Sequence, residues 1–217
     1  SKHIKHKEQT KRHLAGFGYK GRSPEKAIQA ILKWHLDKWG DKHKRVVYRA
    51  IFTHPDEGAL DSQWEKYGLM ESWGSNKRNA DLYVFRPGTL AMMPTGKQAL
   101  IEAELYFSDV DWRSTISRNL GFGSSEDEIN PYSFARLLVK KVSFYELDDR
   151  ARKKYIDGAM GIGRNWKPWI DPKFKAIHVW KPNKSYPVEG PEFEALMYGP
   201  PKENPPWSLE HQQNPYI

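Results

Sequence analysis

The sequence predicts an α+β fold in which a small mixed or antiparallel sheet with flanking helices is preceded by a basic N-terminal arm and followed by an extended, proline-rich tail. Short β-branched and aromatic runs alternate with segments of helical periodicity, and glycine and proline separate them. The composition at both ends differs from that of the middle. We therefore predict an arm over residues 1–22, a domain over residues 23–180 and a tail over residues 181–217.

The first predicted helix follows the arm. Ser23 is a favourable N-cap, Pro24 suits the first helical position, and Gly40 supplies a stop. We interpret His35 as a packed histidine at the edge of the core rather than as a ligand. The apolar face of this helix carries Ile28, Ile31, Leu32, His35 and Trp39.

The later elements are predicted from residue type and spacing. Residues 46–52 are β-branched and aromatic enough for a strand, and a short helix is expected near residues 61–71. Two further strands are expected at residues 81–85 and 98–107. Helices are predicted near residues 112–120, 133–141 and 147–160.

The positive charge of the chain is concentrated at its N-terminal end. Residues 1–49 hold 14 Lys/Arg against 4 Asp/Glu, whereas the other 168 residues hold 21 against 23. A localised positive field attracts a polyanion, so we expect the arm to contact RNA or anionic lipid head groups. The alternative is a flexible, solubilising terminus. The basic residues of the arm are Lys2, Lys5, Lys7, Lys11, Arg12, Lys20 and Arg22.

The C-terminal segment is rich in proline, with 8 of the 15 prolines in its 37 residues. Such a segment is expected to form neither helices nor central strands, and to run extended instead. We expect the segment either to wrap neighbouring subunits of a larger assembly or to pack back on its own domain. The side chains expected to bind a partner are Tyr186, Phe193, Tyr198, Trp207 and Tyr216.

Several functional classes find no support in the sequence. No run approaches the roughly 20 apolar residues of a membrane span, so we expect no transmembrane segment. The chain contains no cysteine, and its eight histidines lack the spacing of a metal site. We therefore expect no cofactor and no bound metal, except under the alternative that follows.

Three carboxylates form a candidate catalytic group. On a strand, Glu102 and Glu104 face the same side, and Asp81 opens the strand-like run before them. Oxygen ligands of this kind can hold a magnesium ion that activates water. The arrangement is similar to the PD-(D/E)XK nuclease core in the variant whose last lysine is a glutamate, although Ala80 stands where that family has proline. The resemblance covers about 35 residues.

That resemblance implies a magnesium-dependent endonuclease of the restriction type, with Asp81, Glu102 and Glu104 as catalytic residues. The other interpretation is that a half-exposed sheet needs one charged face, and that the glutamates only supply it.

The extended ends and the aromatic-rich domain favour a non-catalytic, structural accessory subunit of a large assembly. In general character the chain resembles the supernumerary proteins of mitochondrial ribosomes and of respiratory-chain or ATP-synthase-type complexes. The resemblance implies protein subunits as partners and a mitochondrial location, or otherwise a cytoplasmic one. The endonuclease remains the alternative.

Overall fold

The structure, a computed structural model, describes residues 11, 14–21, 23–40, 42–51, 56–70, 72–77, 97–121, 128–146, 150, 153 and 176–198. Its elements run in chain order as α1 (Pro24–Leu36), β1 (Lys44–Ile51), α2 (Glu57–Tyr67), β2 (Trp73–Gly74), β3 (Lys97–Tyr106), a 3-10 turn (Phe107–Asp109), α3 (Trp112–Gly121), β4 (Glu128–Ile129), β5 (Arg136–Glu146), β6 (His178–Trp180), β7 (Lys184–Pro187) and α4 (Phe193–Tyr198).

The strands form one antiparallel sheet with helices beside it, so the predicted α+β class is confirmed. The strand order is β4-β2-β1-β3-β5, and both β6 and β7 pair with the outer side of β5. Every strand pair is antiparallel. The register between β3 and β5 shifts at Glu102 and Ala103, which marks a bulge.

Helix α1 forms where the sequence predicts it. Ser23 is the N-cap, and its side chain accepts a hydrogen bond from the backbone N–H of Lys26. Ala27, Ile31 and His35 are the buried residues of the helix, at the spacing of one helical face.

The core lies between one face of the sheet and the helices. Val47, Ala103 and Val139 occupy neighbouring strands in register and are fully buried. Helix α2 covers this face with Leu60 and Trp64. A two-residue period with one apolar face therefore places β1, β3 and β5 around a common core.

The structure corrects the helix predicted at residues 133–141. From Arg136 the chain is strand β5, and Leu137 and Val139 alternate into the core. Pairing with β3 on one side and β7 on the other outweighs the local helical pattern. The predicted strand at residues 81–85, and all but residues 150 and 153 of the predicted helix at residues 147–160, lie outside the described residues.

Strand β7 and helix α4 lie within the segment predicted as a tail from residue 181. Strand β7 pairs with β5, and the carbonyl of Pro187 accepts a hydrogen bond from the N–H of Leu69. Proline is tolerated because it is the last residue of this edge-type strand. Helix α4 follows and is the last described element. The rest of the predicted tail, residues 199–217, lies outside the described residues.

Backbone packing at the end of α2 requires two glycines. Gly68 has φ +89°, and a side chain there would strike the backbone of residue 188. A Cβ on Gly190 would lie 2.5 Å from the carbonyl oxygen of Lys66. The segment after β7 therefore packs directly against the backbone at the end of α2.

Within the described residues, no helix combines the length and the apolar character that crossing a bilayer requires.

Candidate functional site

The two predicted catalytic glutamates lie on the same face of β3. Glu102 pairs in register with Tyr48 of β1 and Lys141 of β5, and Glu104 pairs with Val46 and Leu138. Both glutamate side chains are largely buried, with 13% and 19% of their surface exposed. The two-residue period thus predicts their common orientation correctly.

Each glutamate meets a lysine from a neighbouring strand. The Nζ of Lys141 contacts the Oε2 of Glu102, and the Nζ of Lys44 lies 3.2 Å from the Oε2 of Glu104. These are cross-strand ion pairs, which neutralise carboxylates on a sheet surface. A metal ion would have to compete with the ammonium groups for the same oxygens.

The third member of the predicted catalytic group, Asp81, lies outside the described residues. Among the residues that the structure describes, no three His, Asp or Glu side chains are grouped so that they could hold a metal ion. The structure therefore brings Glu102 and Glu104 together but does not place Asp81.

The predicted arm is described only in part. Lys11 and Lys20 are exposed. The ring of Phe17 is buried and lies 5.2 Å from Trp34 in an edge-to-face contact. Part of the arm therefore packs on α1 and belongs to the domain. The other basic residues predicted for the arm, Lys2, Lys5, Lys7, Arg12 and Arg22, lie outside the described residues.

The predicted partner-binding aromatics have different positions. Tyr186 is fully buried in the core, where its hydroxyl donates a hydrogen bond to Asp61, so its side chain is not available to a partner. This corrects its assignment, and the cause is the pairing of β7 with β5. Phe193 begins α4 and is partly exposed, and Tyr198 ends it. Trp207 and Tyr216 lie outside the described residues.

A second charged region, which sequence analysis missed as a site, surrounds the connection from α1 to β1. We call it the α1–β1 basic surface and define it by Trp34, Lys38, Lys42, Lys44 and Arg45. The Nζ of Lys38 lies 4.7 Å from the centroid of the Trp34 ring, and the Cζ of Arg45 lies 5.7 Å from it. Two cations therefore share one half-buried indole, in cation–π contact.

The connection that carries this surface has a defined backbone. Gly40 and His43 both have positive φ, +63° and +48°, and the N–H of Phe107 donates a hydrogen bond of 2.8 Å to the carbonyl of His43. Trp39 is buried against Phe107 and Trp112, with ring centroids 5.7 and 6.3 Å away. The lysines therefore project from a packed turn.

The positive charges of this region contribute to a lowered pKa of the buried His35. Burial first, and then the positive charges of Arg45 and Lys38, together lower the pKa of His35 to about 3. The imidazole is therefore neutral, and among the described residues neither ring nitrogen has a hydrogen-bond partner. This is the packed core histidine that the sequence predicts.

A signal for the basic surface was present in the sequence. Residues 1–22 hold 7 Lys/Arg against 1 Asp/Glu, and residues 23–49 hold 7 against 3. The second group gives a net charge of +4 outside the arm. Assigning the whole charge to the arm hid the part that lies on the folded domain.

Comparisons with protein-family models, with curated proteins and with solved structures each return no match.

Proposed function

We propose that the protein is a non-catalytic accessory subunit that binds RNA through the α1–β1 basic surface and the basic N-terminal arm. The observation that carries this proposal is the grouping of Lys38 and Arg45 on the indole of Trp34, next to Lys42 and Lys44. The surrounding net charge continues into the arm.

The chemistry of the surface supports single-stranded RNA as the ligand. Ammonium groups neutralise phosphates, and unstacked bases pack on aromatic rings and on guanidinium planes. The guanidinium of Arg45 is fixed in position, because its Nη2 donates a hydrogen bond of 2.8 Å to the carbonyl of Ser75. A positioned guanidinium loses less conformational freedom on binding than a mobile one.

The ion pairs of the sheet support a non-catalytic role. Glu102 and Glu104 each have a lysine from an adjacent strand, as structural carboxylates on a half-exposed sheet do. An unpaired carboxylate would be a better ligand for magnesium.

Exposed apolar side chains support a contact with other proteins. Phe134 is 76% exposed, and its ring stacks on Tyr132 with the centroids 5.0 Å apart. Leu196 and Met197 of α4 are also exposed. Aromatic and Met side chains of this kind are enriched in interfaces. An RNA-bound particle such as a mitochondrial ribosome fits both contacts, whereas a respiratory-chain or ATP-synthase-type complex needs only the protein contact.

Sedimentation of the native protein from a gently prepared lysate, with and without RNase, tests this proposal. We expect the protein to migrate with a heavy particle and to leave it after RNase treatment. Heavy migration that resists RNase would overturn RNA binding in favour of a protein or membrane complex. Migration as a free monomer or dimer would contradict the accessory-subunit role.

A further inference from the structure

A cavity of about 260 Å³ opens within the basic surface, between the α1–β1 connection and β3. Trp39 and Val46 contribute apolar wall, and the charged lining comes from Lys42, Lys44, Arg45 and Glu104. The described lining therefore holds three cations and one carboxylate. The cavity carries a net positive charge of two, recessed beside a buried aromatic cluster.

The one carboxylate is already engaged. The Nζ of Lys44 lies 3.3 and 3.2 Å from the two oxygens of Glu104, so this lysine is shared between the carboxylate and the cavity. Lys42 is exposed at the rim, and Arg45 is anchored on Ser75. Every charged group except Glu104 is a hydrogen-bond donor only.

We propose that this cavity is a phosphate subsite, which seats one backbone phosphate of single-stranded RNA against Lys42, Lys44 and Arg45, and that Glu104 weakens its affinity by competing for Lys44. The inference deepens the proposed function and rests on it. Donor-only groups with a net positive charge match an anionic group that only accepts hydrogen bonds.

The size of the cavity agrees with this ligand. The cavity volume is about 260 Å³. That is below the roughly 300 Å³ at which pockets for drug-sized ligands begin. A phosphate with its attached ribose is a ligand of this smaller class, and the base then lies outside, towards Trp34.

The role of Glu104 gives the proposal a gain-of-affinity test. In Glu104→Gln the neutral amide keeps the shape of the side chain, and Lys44 no longer faces a competing negative charge. Removing a charge about 6 Å from a phosphate changes affinity by roughly threefold at the dielectric constant of water, and by more in a less polar cavity. Loss of the folded site would lower the affinity of a specific phosphate contact, so a gain is the opposite of the result expected from a damaged cavity.

The test measures fluorescence anisotropy of a labelled 12-nucleotide uridine RNA with the full chain at several salt concentrations. We expect Glu104→Gln to bind at least threefold more tightly than wild type. Lys42→Gln should remove one phosphate contact, and affinity should then change about 2.6-fold less between 50 and 200 mM salt. Lys140→Gln is the matched control, because it removes the same charge from an exposed position of β5.

The double variant Lys44→Gln/Glu104→Gln separates the two partners. Lys44→Gln alone leaves an uncompensated carboxylate in the cavity, so we expect a larger loss than from Lys42→Gln. In the Lys44→Gln background, Glu104→Gln should change affinity by a different factor than it does in wild type, and additive effects of the two changes would contradict the shared lysine.

Failure of the subsite is distinguishable from failure of the proposed function. If wild type does not bind the RNA at all, both the phosphate subsite and the proposed RNA binding are wrong. If wild type binds, Lys42→Gln and Lys44→Gln match Lys140→Gln, and Glu104→Gln matches wild type, RNA binding stands and the subsite is wrong. Vesicles of phosphatidylserine and phosphatidylcholine form the second arm: a Glu104→Gln gain on vesicles without one on RNA would overturn RNA as the ligand.

Discussion

Replacing Tyr186 with alanine tests whether strand β7 belongs to the core of the domain. The side chain is fully buried, and its ring lies 5.3 Å from that of Trp64 in an edge-to-face contact. Its hydroxyl donates a hydrogen bond to Asp61, which also contacts Lys184 at 2.8 Å. The sequence instead predicted this tyrosine in an extended tail, available to a partner.

The expected magnitude follows from burial. Truncating a fully buried aromatic side chain to alanine costs about 3–5 kcal/mol. A domain of this size loses roughly 2–4 °C of Tm per kcal/mol, so a loss of about 4 kcal/mol lowers Tm by about 8–16 °C. Tyr186→Phe removes only the hydroxyl, and Asp61 keeps Lys184, so we expect a loss of about 1 kcal/mol.

Urea unfolding followed by circular dichroism measures both variants against wild type. We expect the midpoint to fall while the m-value is unchanged, because stability changes and the surface exposed on unfolding does not. Tyr132→Ala is the control, since Tyr132 is 36% exposed and its ring stacks on the exposed Phe134. A Tyr186→Ala midpoint equal to that of the control would refute the placement of Tyr186 in the core and would support the predicted domain boundary at residue 180.

Three further predictions concern the same domain. Burial, and then the hydrogen bond to Asp61, raises the pKa of Tyr186. The stability that the protonated hydroxyl contributes is therefore complete below a pH of about 10 and is lost as the pH rises further. Urea midpoints at pH 8 and pH 11 should differ, and the difference should be smaller in Tyr186→Phe. Gly190→Ala should cost about 1–3 kcal/mol, because the new Cβ would strike the carbonyl of Lys66, and an unchanged thermal midpoint would contradict that packing. His35→Phe should change the free energy of unfolding by less than about 1.5 kcal/mol, because the neutral ring makes no described hydrogen bond. A larger loss of stability in calorimetry would show that the ring nitrogens are hydrogen-bonded.

The sequence predicts the elements whose signals are local. Helix α1 has its cap residue and apolar face within one segment, and β3 has apolar residues at a two-residue spacing in Ala99, Ile101 and Ala103. Strand β5 was missed because its partners decide its conformation, and the nearest of them, β3, ends about thirty residues before it in the chain. Strand β7 was missed because the number of prolines concealed that Pro187 is at a strand end.

The candidate site divides in the same way. The shared face of Glu102 and Glu104 is a property of one strand and was predicted. Their lysines come from β1 and β5, so the ion pairs depend on strand register, which no local pattern contains. The basic surface joins α1 to β1 through Trp34 and Arg45, whose contact depends on how the helix crosses the sheet.

Binding without cleavage is the outcome that distinguishes an RNA-binding subunit from a magnesium-dependent nuclease. The measurement is to incubate the full chain with end-labelled single-stranded RNA and with double-stranded DNA in the presence of magnesium, and to score retention and cleavage in the same samples. We expect salt-sensitive retention of the RNA, with both substrates intact. Cleavage that disappears in Glu102→Gln while the protein stays folded would contradict the non-catalytic role and establish the nuclease instead.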